Sequence, residues 1–399
     1  MEEIEFSVFE HGADAIAKLR SALADFEARQ RIRVRLTVLP FAGAWAKVVQ
    51  MALYGDGPDV SAIGTSWLGD FVRMTALRPF SPSEIRSLGE ADDFFAANWR
   101  SALLADETPG TEPTVWAVPW LADTRICCYR TDLFEQAGLS AADVFQSAAQ
   151  LAAALARLHD NGVALPLAIP TQRSRLALHT LASFIWGAGG DFLDEHSGAL
   201  VLDQPAALAG MRQYFRLGYS LFDAARDCGE VQSDMLFRMG QAAMTISGHW
   251  LLQDQTFDPR VKSHLGVAPM VGVPFVGGYH LAIWQYSRKV SAALKLVEFL
   301  AGRQSPTALY PALGLPARRQ ILQSSDVLQA PPYDAYLPMF ERGRSFPAGR
   351  MWGLIEKNLV DVIPLIWLDV LAPQAADLDA ILDRHIGPLA NRLRLTLKA

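Results

Sequence analysis

Three strand-like segments separated by two amphipathic helices open this chain, and that order leaves few folds available. The segment I-E-F-S-V-F, Ile4 to Phe9, alternates apolar and polar residues and breaks at Glu10, His11 and Gly12. A helix follows, with Ile16, Leu19, Leu23 and Phe26 on one stripe. In R-I-R-V-R-L-T-V-L, Ile32, Val34, Leu36 and Val38 again alternate with polar partners. A second helical stretch carries Trp45, Val48, Val49, Ala52 and Leu53 and stops at the breaker G-D-G-P before the short strand V-S-A-I. Strand, helix, strand, helix, strand is the start of an open α/β sheet. The loops beyond the carboxyl ends of such strands collect ligands. Here they hold Glu10 and His11 after the first strand, and Thr65, Ser66 and Trp67 after the third.

The chain has 399 residues, above the size at which one core keeps growing, so two domains are expected. Half of it is hydrophobic, with 10 Trp, 20 Phe and 9 Tyr, which is ample for sizeable cores. A formal charge of -6 offers no concentrated basic surface for nucleic acid. The apolar runs fall short of the roughly 18 to 20 residues that cross a bilayer. No basic, apolar leader precedes Glu2, which fits a cytoplasmic chain or a mature form whose leader is removed.

A second α/β unit is expected after Pro119. Helix-like sequence covers Ala141 to His159, a buried strand lies at P-L-A-I-P, and helices surround Leu176 to Trp186 and Pro205 to Phe222. A short strand Ala243 to Ile246 leads to a glycine-led loop holding His249 and Trp250; a further strand ends near Met270. The closing third is helical, with prolines, Pro364 among them, marking its breaks.

The stretch W-A-V-P-W-L-A-D-T-R-I-C-C-Y-R sets adjacent cysteines beside a polar pair. If Leu121 to Tyr129 is extended, Asp123, Arg125, Cys127 and Tyr129 share one face and Cys128 points to the other. Cys127 and Cys128 then read as packing residues, with a reactive or vicinal-disulfide role as the alternative; Cys228 is a bystander. Asp123 and Arg125 form either an interdomain salt bridge or a clamp on hydroxyls or a carboxylate. Trp67, Trp186 and Trp250 each stand at a strand or helix exit among small polar residues, and each is core or ligand platform. As a set they suit a pyranose, whose C–H faces stack on rings while its rim takes hydrogen bonds. Trp45 is core or reaches the site.

Catalytic patterns are missing. No G-x-G-x-x-G follows the first strand, and there is no P-loop, no H-E-x-x-H, no C-x-x-C and no G-x-S-x-G. No metal site or cofactor is expected. His249 and His280 are acid–base groups or hydrogen-bonding residues at a site edge. Carboxylates are numerous enough to supply a pair about 5 to 9 Å apart, as glycoside hydrolysis requires, so a carbohydrate-active enzyme is the alternative from another class.

Four segments together resemble the extracellular solute-binding proteins of ABC importers, in particular the maltose-binding-protein-like carbohydrate-binding family (family 1). They are M-A-L-Y-G-D-G-P-D-V-S-A-I-G-T-S-W; the Trp116 stretch continuing into T-D-L-F-E-Q-A-G-L; F-R-M-G-Q-A-A-M-T-I-S-G-H-W; and L-G-V-A-P-M with G-G-Y-H-L-A-I, A-A-L-K-L-V-E-F-L and G-L-P-A-R. The resemblance implies an α/β, periplasmic-binding-protein-like fold of two lobes joined by a multi-segment hinge with a ligand cleft between them. It places 1–118 and 271–322 in the first lobe and 119–270 and 323–399 in the second, with crossings near 119, 270 and 322–330. It also implies Glu10, His11, Thr65, Ser66 and Trp67 as first-lobe contacts, joined by Gly278, Tyr279 and His280. Asp123 and Arg125 would lie at the crossing, Trp186, His249 and Trp250 on the second lobe, and Arg350 and Trp352 late in the chain.

The implied function is non-enzymatic: capture of a neutral, acidic or phosphorylated sugar by hinge closure, then delivery to an ABC transporter permease dimer. The implied protein is a monomer without nucleic-acid partners, periplasmic with its leader removed or lipid-tethered at the cell surface. A sensory sugar-binding protein signalling to a receptor is the alternative within the family.

Overall fold

The structure is a computed structural model and describes residues 2–104, 112–195, 197–221, 225–253, 256–349, 351–373 and 376–397. In chain order the strands are β1 (Glu2–Phe9), β2 (Ile32–Leu39), β3 (Val60–Gly64), β4 (Leu103–Leu104), β5 (Thr114–Val115) and β6 (Val118–Thr124). They continue with β7 (Ile126–Arg130), β8 (Leu167–Ala168), β9 (Met244–Ser247), β10 (Leu265–Pro269), β11 (Val276–Ile283) and β12 (Leu315–Pro316).

Two units divide the chain. The first comprises Met1–Asp123, Val276–Glu341 and Ser345–Gly353, and the second Thr124–Phe275, Arg342–Arg344 and Leu354–Ala399. Residues 323–341 and 345–353, expected with the second lobe, belong to the first unit. Contacts to the first unit give the reason: Phe340 packs on Phe95 at 5.0 Å between centroids, the Ser345 hydroxyl donates to the Ala97 carbonyl at 3.0 Å, and a Cβ on Gly69 would meet the Gly349 carbonyl.

The first unit is built on a six-stranded sheet in the order β12-β6-β11-β3-β1-β2. The β1–α–β2 and β2–α–β3 crossovers make β1 parallel to both β2 and β3, while β11 runs antiparallel to β3. Burial explains the two strand patterns. Central β1 buries Phe6, Ser7, Val8 and Phe9 on both faces, whereas edge strand β2 keeps the alternation read from the sequence and exposes Arg33 and Arg35. Ser7 and Ser61 share a buried hydroxyl hydrogen bond of 2.7 Å, and Ser61 accepts the Trp284 indole N–H at 2.8 Å, so these interior polar groups are satisfied.

The second unit carries a four-stranded sheet, β10-β7-β9-β8, with β7 antiparallel to both its neighbours. Helices Arg175–Gly187 and Pro205–Phe215 pack so closely that a Cβ on Gly210 would meet the backbone of Phe184 and Ile185. Trp367, on the late helix Trp352–Val370, closes this core against Tyr214 at 5.2 Å and Phe215 at 4.8 Å. Pro364 lies inside that helix instead of breaking it. Buried Ile363, Ile366 and Trp367 hold the turn on which one backbone donor is missing.

Three local expectations change. The extended run through Leu121 to Tyr129 is two strands interrupted at Arg125. The helix after Ala141 breaks at Phe145, and Ser147 caps its continuation, Ala148–Asp160, by accepting from the Gln150 N–H. His249 and Trp250 begin a helical turn, His249–Gln253, instead of lying in a loop. No helix among the described residues is long and apolar enough to cross a membrane.

Candidate ligand-binding site

Sheet order, more than sequence proximity, builds an aromatic surface on the first unit. β1 ends at Phe9, β3 ends at Gly64, and antiparallel β11 sets Tyr279 opposite Gly64. Phe9 is the hub of the resulting cluster. Its ring lies 5.8 Å from Phe41, 5.5 Å from Trp67 and 5.4 Å from Tyr279. His11 meets Phe41 and Tyr279 edge-on at 5.9 and 5.6 Å, and Trp45 sits between Trp67 and Phe71 at 5.2 and 5.4 Å. Phe9 and Phe71 are buried and form the floor, while His11, Trp45, Trp67 and Tyr279 are half-buried and Phe41 is 51% exposed. Half-buried rings over a packed floor are what stacking on an apolar sugar face needs.

Thr65, Ser66 and Glu10 are the polar groups of the loops that carry these rings. Thr65 is buried and Ser66 half-buried in the single 3-10 turn that presents Trp67. Glu10 is exposed; its backbone N–H donates to Leu39 and its carboxylate accepts from the Phe41 N–H at 3.2 Å, which ties the loops after β1 and β2 together. Asp123 is half-buried and is the residue at which the chain leaves this unit.

Two expected contacts on the first unit turn inward. On β11 the side chains alternate, so Tyr279 and His280 face opposite ways. His280 is fully buried, with its Nε2 3.0 Å from the Ser101 hydroxyl, and burial pushes its pKa down to about 4, which keeps it neutral. Trp352 is 1% exposed and stacks on Phe346. Gly278 serves the sheet: its φ is +123° and a Cβ there would meet the Leu121 carbonyl of β6. Arg350 lies outside the described residues.

Of the two tryptophans expected as platforms on the second unit, Trp250 is the exposed one, 38% accessible at the start of its helical turn. Its indole N–H donates to Asp234 Oδ2 at 2.9 Å. Arg125 is only 4% exposed and lays its guanidinium carbon 4.9 Å from the Trp250 ring centroid and 5.9 Å from that of Phe275. Phe275 is itself stacked on His179 at 3.9 Å with a 7° interplanar angle. Glu230, Val231, Asp234, Arg238, Trp250 and Leu251 line a hollow of about 240 Å³. That is less than the roughly 300–1,000 Å³ of a complete small-molecule pocket.

Asp234 was not singled out by the sequence, because a lone aspartate inside helix Glu230–Arg238 carries no motif. Burial pushes its pKa up, opposed by the Trp250 N–H, the Ser247 hydroxyl and the Arg238 guanidinium. His249 is buried beside Trp250, with ring centroids 6.0 Å apart. Trp186, expected as a platform, is enclosed: its N–H donates to Asp191 at 3.0 Å, and Arg344, paired with Asp191 at 2.5 Å, covers its ring at 5.1 Å.

The cysteines take no part in this surface. All three are free and buried, and Cys127 and Cys128 pair across β7 with different neighbours in β9 and β10. Among the described residues no group of three or more His, Cys, Asp or Glu side chains is placed to hold a metal ion.

The chain matches the family model of the bacterial extracellular solute-binding proteins over residues 12–305. A binding protein of Brucella abortus (strain 2308) is 22% identical over 408 aligned positions, covering 96% of this chain and 94% of the relative. The sugar-binding protein MalE of Xanthomonas citri superposes with a TM-score of 0.81 at 22% identity over 99% of both chains. The GacH receptor of Streptomyces glaucescens, solved unliganded and with acarbose, gives a TM-score of 0.79 at 22% identity over 100% of this chain and 98% of its own. These likenesses establish two α/β lobes of periplasmic-binding-protein-like fold. The chain belongs to the bacterial extracellular solute-binding protein family, and it is a binding protein, not an enzyme.

Proposed function

We propose that the protein captures a sugar or sugar derivative outside the cytoplasm and delivers it to an ABC importer, without chemical change. The observation that carries this reading is a pair of aromatic surfaces, one on each unit. Phe41, Trp45, Trp67 and Tyr279 form the first, and Trp250, backed by Arg125 and Asp234, forms the second. Each offers ring faces for C–H stacking and a border of hydroxyl, carboxylate or guanidinium groups for a polar rim. The solutes named with similar structures are of one kind: maltose for a Thermotoga maritima protein, tagatose for one from Thermotoga lettingae, and mannitol for one from Agrobacterium vitis.

The mechanism that follows is capture by hinge closure. Each lobe supplies half of a site, the ligand joins the halves, and the closed state is populated because it alone makes both sets of contacts. Moving that equilibrium from about 1% to 99% closed takes roughly 5.5 kcal/mol of differential affinity. A few desolvated hydrogen bonds and two stacked rings are enough for that. The closed form is the one offered to the permease dimer, where opening releases the solute.

A thermal-shift screen across maltose, mannitol, glucuronate and glucose 6-phosphate tests the reading. Saturation at about 100 times Kd stabilises the native state by about 2.7 kcal/mol. The expected result is a saturable shift with one solute class, one-to-one stoichiometry, and the solute recovered intact. Consumption of the solute, or no shift with any of them, would remove it.

A further inference from the structure

The Trp250 ring is restrained from three directions, which is unusual for a side chain 38% exposed. Its N–H is fixed by Asp234 Oδ2 at 2.9 Å. The Arg125 guanidinium stands 4.9 Å from its centroid, and that guanidinium is in turn 5.9 Å from Phe275, which is held by His179 at 3.9 Å. The third restraint is Gly248, where a Cβ would fall within the indole itself, so the ring lies directly over the Gly248 backbone. Backbone bonds anchor the assembly: the Phe275 N–H donates to the Ser183 hydroxyl at 3.1 Å, and the Phe275 carbonyl accepts from the Thr124 hydroxyl at 2.6 Å.

We infer that Arg125 and Asp234 are positioning residues that fix the Trp250 indole as a pre-formed sugar platform. This rests on the sugar-binding reading of that ring. A free surface indole samples several rotamers, and ordering it on binding costs about 0.5–1.5 kcal/mol. Here the ordering is done when the protein folds. Arg125 therefore acts through the ring's inner side, consistent with its 4% exposure, and not as the direct clamp on ligand hydroxyls that its sequence position suggested. Asp234 sets the ring's rotation about its long axis, because the N–H must point at Oδ2. The planar guanidinium matters as well as the charge, since lysine offers a point charge and no flat face to stack.

The test is fluorine NMR of the whole protein labelled with 5-fluorotryptophan, with the Trp250 line assigned by its loss in Trp250→Phe. Asp234→Ala and Arg125→Met are each expected to shift or broaden the Trp250 line while the Trp186 line stays in place. Asp234→Asn, whose amide oxygen still accepts the N–H, should keep it. Gly248→Ala, which intrudes on the ring directly, should move the same line if either first variant fails to fold.

A calorimetric cycle uses whichever of maltose, mannitol, glucuronate or glucose 6-phosphate gives the largest thermal shift. Asp234→Ala should weaken it about tenfold in the native background and not at all once Trp250→Ala is present, the coupling expected of groups that act as a unit. An unmoved Trp250 line in Asp234→Ala and Arg125→Met, or full additivity in the cycle, overturns the inference. Normal affinity in Trp250→Ala alone would instead overturn the sugar reading of this ring, and the fluorine spectra would then decide the positioning role unaided.

Discussion

Trp45 and Trp67 meet edge to face, with ring centroids 5.2 Å apart and planes at 72°. Trp67 turns the edge of its other neighbour, Phe9, in the same manner at 5.5 Å and 87°. A ring held this way by two others contributes to the core and to the surface at once. Trp67→Ala should therefore weaken sugar binding by about 2 kcal/mol or more and also destabilise the fold, since truncating an aromatic that packs on a core typically costs a few kcal/mol. Trp67→Phe should recover most of the stability and part of the affinity. Calorimetry and thermal unfolding of the pair separate the two roles; equal affinity in Trp67→Ala and the parent would remove Trp67 from the site.

Gly278 is expected to answer differently. With φ at +123° and the Leu121 carbonyl where a side chain would begin, Gly278→Ala strains the backbone and pushes β11 from β6. The expected loss is about 2–4 kcal/mol of stability, read as a fall in Tm whether or not sugar is present. A variant of unchanged Tm and lowered affinity would return Gly278 to the ligand.

The buried His280 makes stability depend on pH in a definite direction. Its pKa lies near 4 in the native protein against an ordinary 6.5, so the unfolded chain binds the extra proton first. Its contribution is intact above pH 6.5 and is lost as pH falls from there towards 4. By about pH 5 the loss is on the order of 2 kcal/mol. The depressed carboxylates, Asp132 beside Arg130 and Asp203 beside Arg394 among them, lose their contributions in more acid solution, as pH falls through and below the ordinary carboxylate range. Denaturant titrations of the parent and His280→Asn between pH 7 and 5 should diverge, the variant being the flatter; parallel curves would contradict the burial of a neutral imidazole.

Much of the first unit was legible in the sequence. Alternation at Ile4 to Phe9 and Ile32 to Val38 gave strands because these segments pair locally through short crossovers. The aromatic floor was not legible. Phe9, Phe41 and Tyr279 meet only because the sheet orders β11, β3, β1 and β2 side by side, and that order is a non-local property. His280 was grouped with Tyr279 because neighbours in sequence look alike until the strand's period of two is applied, and then only one of the pair can face the site. Trp186 shows the opposite limit: a tryptophan before G-A-G-G has the same local signature whether the ring faces solvent or, as here, lies under Arg344. Asp234 was missed for want of any spacing rule linking it to Trp250, sixteen residues on.

The thiols should be silent in the native state. Burial pushes Cys127 up to about 12 and Cys228 up to about 11, with Cys128 raised beside them. At about pH 8 a thiol reagent should modify none of the three until denaturant is added, because the thiolate is the reacting form. Cys127→Ser should keep its sugar affinity while losing about 1–3 kcal/mol of stability from burying a hydroxyl. Rapid native labelling would reopen a redox role for this pair.

Titration calorimetry of the parent, Trp67→Ala and Trp250→Ala against the solute found by thermal shift tests the central claim most directly. The account predicts one-to-one binding that each substitution weakens by about 30-fold or more, one ring lying on each unit. Unchanged affinity in both variants would contradict it.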